Sequence, residues 1–378
     1  VSAAENKKTR NIDWVSMPFI VGTAIASLTI VPTYIYFYGA HVSIVIFSAL
    51  FGLATNLSIT AGYHRMYAHK AYEASRWIRY VYLAIGAAAF QGSALKWSSD
   101  HRRHHANVDT DNDPYTIGKG FWYAHYEWLF YKESSDQPIH APDLAIDPAV
   151  RWQDKNYPWF ATAMGFGLPA LIGAFFGSAI EGFLLGGVLR TFLTQNSTFL
   201  VNSLAHTWGR RPYSLEVSAR DNICVAFLTH GEGYHNFHHR FQIDYRNGIR
   251  WYHWDPTKWV IQILAALGQA RKLRVVPNSE IQKAKLLIDQ QKLQALGVKT
   301  DHLETLKQKI EALHQDLRHL HTEYLRVKAE MRNNSEMRLA QIRQDVKKQM
   351  RLRKLELNEQ LRRWKFEVRM LQTSAAMA

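Results

Sequence analysis

Nine of the 18 histidines sit at spacings that could ligate metal. His64 and His69 flank Arg65, Met66, Tyr67 and Ala68. His101, His104 and His105 form a second cluster, and His235, His238 and His239 a third. A lone His206 follows Asn202 by one helical turn. Intervals of three and four put ligands on one helix face, which fits clusters two and three and the Asn202/His206 pair. His64 and His69 are five apart, about 140° around an α-helix, so they are expected to flank a site at a helix end. Imidazole suits zinc, iron, copper and nickel. Structural zinc wants four ligands and usually some thiolate, yet Cys224 is the single cysteine. Nine imidazoles are too many for one ion and enough for two. An all-nitrogen dinuclear site beside a membrane points to iron and oxygen chemistry. Tags and loose metal buffers are contiguous, whereas these histidines are spread from residue 64 to residue 239.

The other nine, His41, His125, His140, His230, His253, His302, His314, His319 and His321, read as solvated or hydrogen-bonded side chains. Two further patterns fail. Asp109, Asp111 and Asp113 begin like a calcium loop, but Pro114 and Gly120 stand where Gly and Glu are needed. Gly231, Gly233 and Asn236 make a broken dinucleotide fingerprint. Asp100 and Glu232 are read as acceptors that orient neighbouring imidazoles.

The elements that must carry these residues are apolar. No Asp, Glu, Lys or Arg occurs between Asp13 and Arg65, room for two spans of about 20 residues. They are read as Pro18–Tyr38 and His41–Ala61. A second pair is read as Pro158–Ile180 and Phe183–Leu204, with Glu181 and Gly182 in the turn. Tyr80–Leu95 is apolar but short, and suits a re-entrant or interfacial helix. Four crossings put both termini and every histidine cluster on one side. Lys7, Lys8 and Arg10 precede the first span while the hairpin turns carry no Lys or Arg, which makes that side cytoplasmic. The first apolar run is too long for a signal peptide. The chain starts without Met, so it is expected to be trimmed or a fragment. Arg190, inside the second pair, is read as snorkelling to the outer interface or pairing with Glu181, with a functional role as the alternative.

The net charge of +14 is uneven. The stretch from Arg271 onward holds 24 Lys+Arg and 13 Asp+Glu, leaving +3 for the first 270 residues. A near-neutral body with no basic stripe weakens a nucleic-acid reading of the whole chain, and one cysteine excludes a disulfide framework. Asp301 and Glu304 read as a helix start of capping-box type. Leu303, Leu306, Ile310, Leu313, Leu317, Leu320, Tyr324, Val327 and Met331 then form a heptad seam. Asn333 and Asn334 break it, and a very basic stretch, Arg338–Arg369, follows. For this tail oligomerisation, attraction to anionic lipid and docking of an acidic electron donor all stand open, beside a merely solvated helix.

Over about residues 15–265 the chain resembles the integral-membrane fatty-acyl desaturases of the stearoyl-CoA (Δ9) type. The likeness lies in Ala61–His69, Ala89–Gln91, Trp97, Asp100–His105, Leu200–His206 and Gly231–His239. The resemblance implies a four-span protein with a cytosolic cap and a non-haem diiron centre. Its metal residues would be His64, His69, His101, His104, His105, His206, His235, His238 and His239, with Asn202 reaching one iron through water. It also implies an acyl tunnel kinked at Gln91, Trp97 and Thr198, which Phe199 and Asn56–Thr60 would line or close. Two departures concern the head group, Gly92 where Asn is expected and Ser99 where Arg is expected. Lys132 is kept in a patch that otherwise reads Phe130, Tyr131, Glu133. Acyl-CoA, acyl-carrier protein and lipid-bound chains therefore all remain open. No His-Pro-Gly-Gly haem motif occurs, so electrons would come from a separate donor, ferredoxin-like or cytochrome-type with its reductase.

The expectation is an all-α integral membrane protein with four transmembrane helices in two hairpins, a cytosolic helical cap and a C-terminal helical or coiled-coil extension. Residues 1–15 are the N-terminal cytosolic segment, 16–270 the membrane domain and 271–378 the basic extension. The expected activity is an O2-dependent acyl desaturase forming a cis double bond, with two iron ions, O2 as co-substrate and a long-chain acyl thioester or lipid as substrate. Membrane lipids surround it, a homo-oligomer through the C-terminal helix is possible, and no nucleic acid is bound. A hydroxylase or terminal-alkene-forming decarboxylase on the same scaffold is the first alternative, and a metal-binding membrane scaffold without turnover the second.

Overall fold

The computed structural model describes residues 11–132, 139–333 and 337–377. Lys7, Lys8, Arg10, Glu133 and Asn334 lie outside them. The described chain is mostly helical, with one antiparallel ribbon, Glu73–Ala74 against Ala270–Arg271. It divides into two units, Val1–Arg211 with Leu215–Val275, and Pro212–Ser214 with Val276–Ala378.

In the first unit, three helices are long and apolar enough to cross a bilayer: Ser16–Tyr38, Val42–Ala68 and Tyr157–Phe175. Ile25, Leu28, Phe37 and Leu50 on them are exposed, which a bilayer favours and water does not. A fourth helical run continues from Ala179 through a π-helical turn at Gly182–Leu189 into Arg190–Thr207. Its second half carries Thr191, Thr194, Gln195, Asn196, Ser197, Thr198 and Asn202, and so falls short in hydropathy.

Three expectations are corrected here. The turn of the second hairpin lies at Phe176–Ser178, not at Glu181 and Gly182. Gly177 takes φ +114 there, and the Ser178 Oγ caps the next helix by accepting from Glu181 N. Glu181 is buried and receives both His41 N and His41 Nδ1 at 2.6 Å, tying the two hairpin turns together.

Tyr80–Leu95 is not one helix. Arg76–Ala87 is helical, Phe90 and Gly92 take positive φ, and Ala94–Asn107 starts afresh. The break follows from Gly92, which tolerates φ +93, and from Ser93, whose Oγ accepts Lys96 N as an N-cap.

Arg190 neither snorkels nor meets Glu181. It is buried, with Nε on Gly186 O at 2.8 Å, Nη1 on Ala88 O at 2.7 Å and Nη2 on Gly165 O at 3.0 Å. Ala88 O is a carbonyl freed at a helix end, and Gly165 lies in the π-turn Ala163–Gly167. One guanidinium thus satisfies carbonyls that hydrocarbon could not. Arg190→Leu is expected to cost roughly 3 kcal/mol or more, because at least two buried carbonyls lose their donor at about 1–3 kcal/mol each. A thermal-unfolding midpoint in detergent equal to that of the wild type would contradict this.

The second unit holds the helices Asn278–Ala295, Asp301–Asn333 and Met337–Met377. The heptad seam is covered from within the chain. Leu303, Leu306, Ile310 and Leu313 share a core with Leu286, Leu293, Leu357, Trp364 and Val368. Lys309–Glu356 and Arg353–Asp316 pairs set the two long helices antiparallel, and Trp364 Nε1 donates to Asp289 Oδ2 at 3.0 Å. A seam buried against its own chain does not call for a second copy.

Candidate metal centre and adjoining cavity

The span Val42–Ala68 ends in a π-helical stretch, Ser58–Ala68, with His64 inside it and His69 as its C-cap. His69 N donates to His64 O at 3.1 Å, an i→i+5 bond. A π-turn brings residues five apart toward one side, so the two rings lie 4.9 Å apart. His69 thus stands at a helix end, as expected, and the π-turn there supplies what α-helical spacing denied. The helix Ala94–Asn107 presents His101, His104 and His105, the last turn of Arg190–Thr207 presents His206, and the short helix His235–Arg240 presents the third cluster.

The nine imidazoles converge in two groups. One is His64, His69, His101, His105 and His238; the other is His104, His206, His235 and His239, the ligand atoms of each lying within 4.8 Å of one another. The His105 and His239 rings stack at 4.3 Å, so the groups adjoin. In the first group the Nε2–Nε2 separations are 3.0 Å (His64–His238), 2.8 Å (His69–His101), 3.1 Å (His101–His105) and 3.0 Å (His105–His238). In the second they are 3.0 Å for His206–His235 and for His235–His239. Two nitrogens about 2.1 Å from one ion at a right angle are about 3.0 Å apart, so the donor set fits a metal ion in each group. Burial first, and then the mutual repulsion of the rings, hold His101, His105, His235, His238 and His239 well below the usual imidazole range. They are therefore neutral and free to ligate.

Four of the outward nitrogens are held as metal ligands require, whereas Nδ1 of His105 and of His235 has no hydrogen-bond partner among the described residues. His64 Nδ1 lies 2.9 Å from Glu232 Oε2, and His104 Nδ1 lies 2.9 Å from Asp113 Oδ1. His101 Nδ1 meets the Tyr115 hydroxyl at 3.3 Å, and His206 Nδ1 meets Ser218 Oγ at 2.6 Å. Ser218 Oγ in turn donates to Asp109 Oδ1 at 2.5 Å. Of the two acceptors expected from sequence, Glu232 has this role. Asp100 instead pairs with Lys96 and, more distantly, with Arg103. Asp113, Tyr115, Ser218 and Asp109 were missed. Their one signal was the Asp109–Asp113 run, set aside for failing as a calcium loop.

Beneath His64, Arg65 is buried and donates to Glu232 Oε1 at 2.8 Å, to Asp255 Oδ1 at 3.0 Å and to Tyr245 O at 2.8 Å. Burial pushes the Glu232 carboxyl up, but Arg65 and His64 outweigh it and hold the group down at about 2. The Gly231–Gly233 pair serves packing. Gly231 has φ +103 against Asp255, and a Cβ at Gly233 would fall 2.0 Å from Ala226 N.

A cavity of about 780 Å³ opens onto the first three clusters' neighbourhood, lined by His64, His101, His104 and His235. Asn202, Gln91, Trp97, Thr198 and Phe199 also line it, as do Asn56, Ile59 and Thr60. Trp97 Nε1 donates to Gln91 Oε1 at 3.2 Å, and Gln91 Nε2 donates to Thr198 Oγ1 at 2.9 Å. Phe19, Phe90 and Phe166 give it an apolar wall. Gly92 reaches the lining, while Ser99 Oγ accepts His140 N instead. Lys132 is not brought to the cavity: it is exposed, its backbone N on Asn11 O.

The family profile described as fatty acid desaturase matches residues 40–271. The chain is 40% identical over 291 residues to a probable acyl-CoA desaturase of Schizosaccharomyces pombe, covering 76% of this chain and 59% of that one. It is 35% identical over 294 residues to acyl-CoA desaturase 1 of Saccharomyces cerevisiae, covering 76% and 57%. It is 34% identical over 278 residues to an sn-2 palmitoyl-lipid 9-desaturase of Nostoc, covering 72% and 93%. The chain thus spans under three fifths of the length of the two yeast relatives.

Proposed function

The chain belongs to the fatty acid desaturase family, and we propose that it is an O2-dependent desaturase placing a cis double bond, at Δ9, in a long acyl chain. One observation carries the reading: four of the nine clustered histidines line the same apolar cavity as Gln91, Trp97 and Thr198. The five-histidine and four-histidine groups would each hold one iron, with Asn202 beside them. When bound, the two irons supply the reduction of O2, so that two adjacent C–H bonds, O2, two outside electrons and two protons become one C=C bond and two waters.

The protein's own part is positioning. Phe19, Phe90 and Phe166 exclude water from the chain. The Trp97–Gln91–Thr198 hydrogen bonds fix the polar side of the wall where the acyl chain would bend, which selects the carbons presented. Gln91→Ala is expected to lower kcat by about 100-fold and to spread the double-bond position. A single unchanged product at unchanged rate would remove Gln91 from this role.

In the membrane, Ala179–Thr207 would be the fourth crossing, its guanidinium hydrogen-bonded by carbonyls. An even number of crossings returns both ends and all clusters to the cytoplasmic side. Electrons would come from a ferredoxin-like or cytochrome-type donor. Relatives are named for both acyl-CoA and acyl-lipid substrates, so the deciding assay supplies each to membranes with a reductase system. A cis monoene identified by mass spectrometry supports the proposal. An alcohol or terminal alkene as sole product would replace desaturation with the related chemistry, and no O2 consumption would favour a scaffold.

A further inference from the structure

The helix Met337–Met377 has two apolar faces, and only one is used. Its inner stripe is Val346, Leu357, Gln360, Trp364 and Val368, all buried. At about 100° per residue, Leu352, Leu355, Phe366 and Met370 fall on the opposite side. They are 57%, 59%, 64% and 52% exposed, and Met337 on the same face is 90% exposed. No described residue covers them. Between and beside them stand Lys348, Arg351, Arg362 and Arg369, all exposed, with Asp345 and Glu359 as the acids on that face.

A solvated helix has no use for a row of Leu, Phe and Met opposite its core. A second copy on this face would set arginines against arginines. Apolar side chains interleaved with Lys and Arg match the boundary of an anionic leaflet, where acyl chains and phosphate groups meet. The same chain carries helices long and apolar enough to anchor it in that bilayer. We propose that the outer face of Met337–Met377 is a docking surface for anionic lipid headgroups. The proposal rests on the membrane-spanning reading, not on the desaturase reaction.

The test uses the full chain carrying Cys224→Ser and Glu359→Cys, labelled at the new thiol with a polarity-sensitive dye. The labelled protein is placed in nanodiscs of phosphatidylcholine alone or mixed with phosphatidylserine. Insertion of the spans into the discs is verified first, which separates failure of the anchor from failure of the face. In the serine-containing discs the dye emission should shift blue and be quenched by spin-labelled lipid, and added salt should reverse both. Each lost positive charge should lower the lipid preference about fivefold, so Arg351→Glu with Arg362→Glu and Arg369→Glu should abolish the shift. Should that variant not fold, judged by its thermal unfolding, Leu355→Ser with Phe366→Ser should have the same effect. A dye that stays in water in anionic discs overturns the proposal. So does equal burial in both discs, burial requiring two copies per disc, or burial appearing only with an added acidic protein.

Discussion

Replacing His239 by alanine is expected to remove about one metal ion per chain together with all turnover, whereas replacing His69 should abolish turnover while retaining more metal. The reason is the division of the nine imidazoles. His239 belongs to a group of four, with His104, His206 and His235, and its loss leaves three nitrogens. His69 belongs to a group of five, and its loss leaves four, enough for a closed tetrahedral set. Either change still disturbs both ions, because the His105 and His239 rings are in contact across the boundary. Metal analysis of purified protein, beside turnover and the level of membrane-inserted chain, decides the matter. Full metal content with normal turnover in either variant would refute the ligand assignment. Equal metal loss in both would refute the division.

Glu232→Gln should weaken metal binding by the five-histidine group about 10–100-fold and cost the fold about 3 kcal/mol. Glu232 receives His64 Nδ1, Arg65 Nη2 and, at 2.6 Å, Asn247 Nδ2, all buried. A glutamine keeps the shape but leaves Arg65 with Asp255 as its remaining carboxylate, and turns an NH2 group toward a donor. The sign of the pH effect is fixed too. The carboxyl lies at about 2 in the fold against a model-peptide value of 4.5. Its contribution is therefore complete above the higher value and is lost as pH falls from there through about 2. Glu232→Asp should recover part of the metal affinity. Comparing metal content of the two variants with their unfolding midpoints separates the roles. A glutamine variant as stable as the parent, with unchanged metal affinity, would reduce Glu232 to packing.

Spacing made the clusters readable, because helical periodicity is a local property. Clusters two and three, and His206 below Asn202, needed only the three- and four-residue interval. His64 and His69 escaped that logic, since the π-turn that reconciles them has no signature in residue spacing. Arg190 shows the same limit. Its place inside an apolar run is evident from the sequence, but its burial and its partners Ala88 O and Gly165 O are set by a helix break and a π-turn. The heptad seam was legible as a seam, and its partner was not. A pattern of leucines records that something covers it and says nothing of whether that is another copy or Leu357 and Trp364.

The sequence by itself determined the clustered imidazoles, their number, the apolar helices that carry them and the basic tail. These are matters of composition and short-range periodicity. Tertiary structure alone decided which imidazoles gather into one group. His104 and His105 are neighbours in the chain yet join different groups, because consecutive residues on a helix point about 100° apart. It also decided that Asp113, Tyr115 and Ser218 stand behind His104, His101 and His206, since those pairings depend on how the loop after each helix folds back onto it.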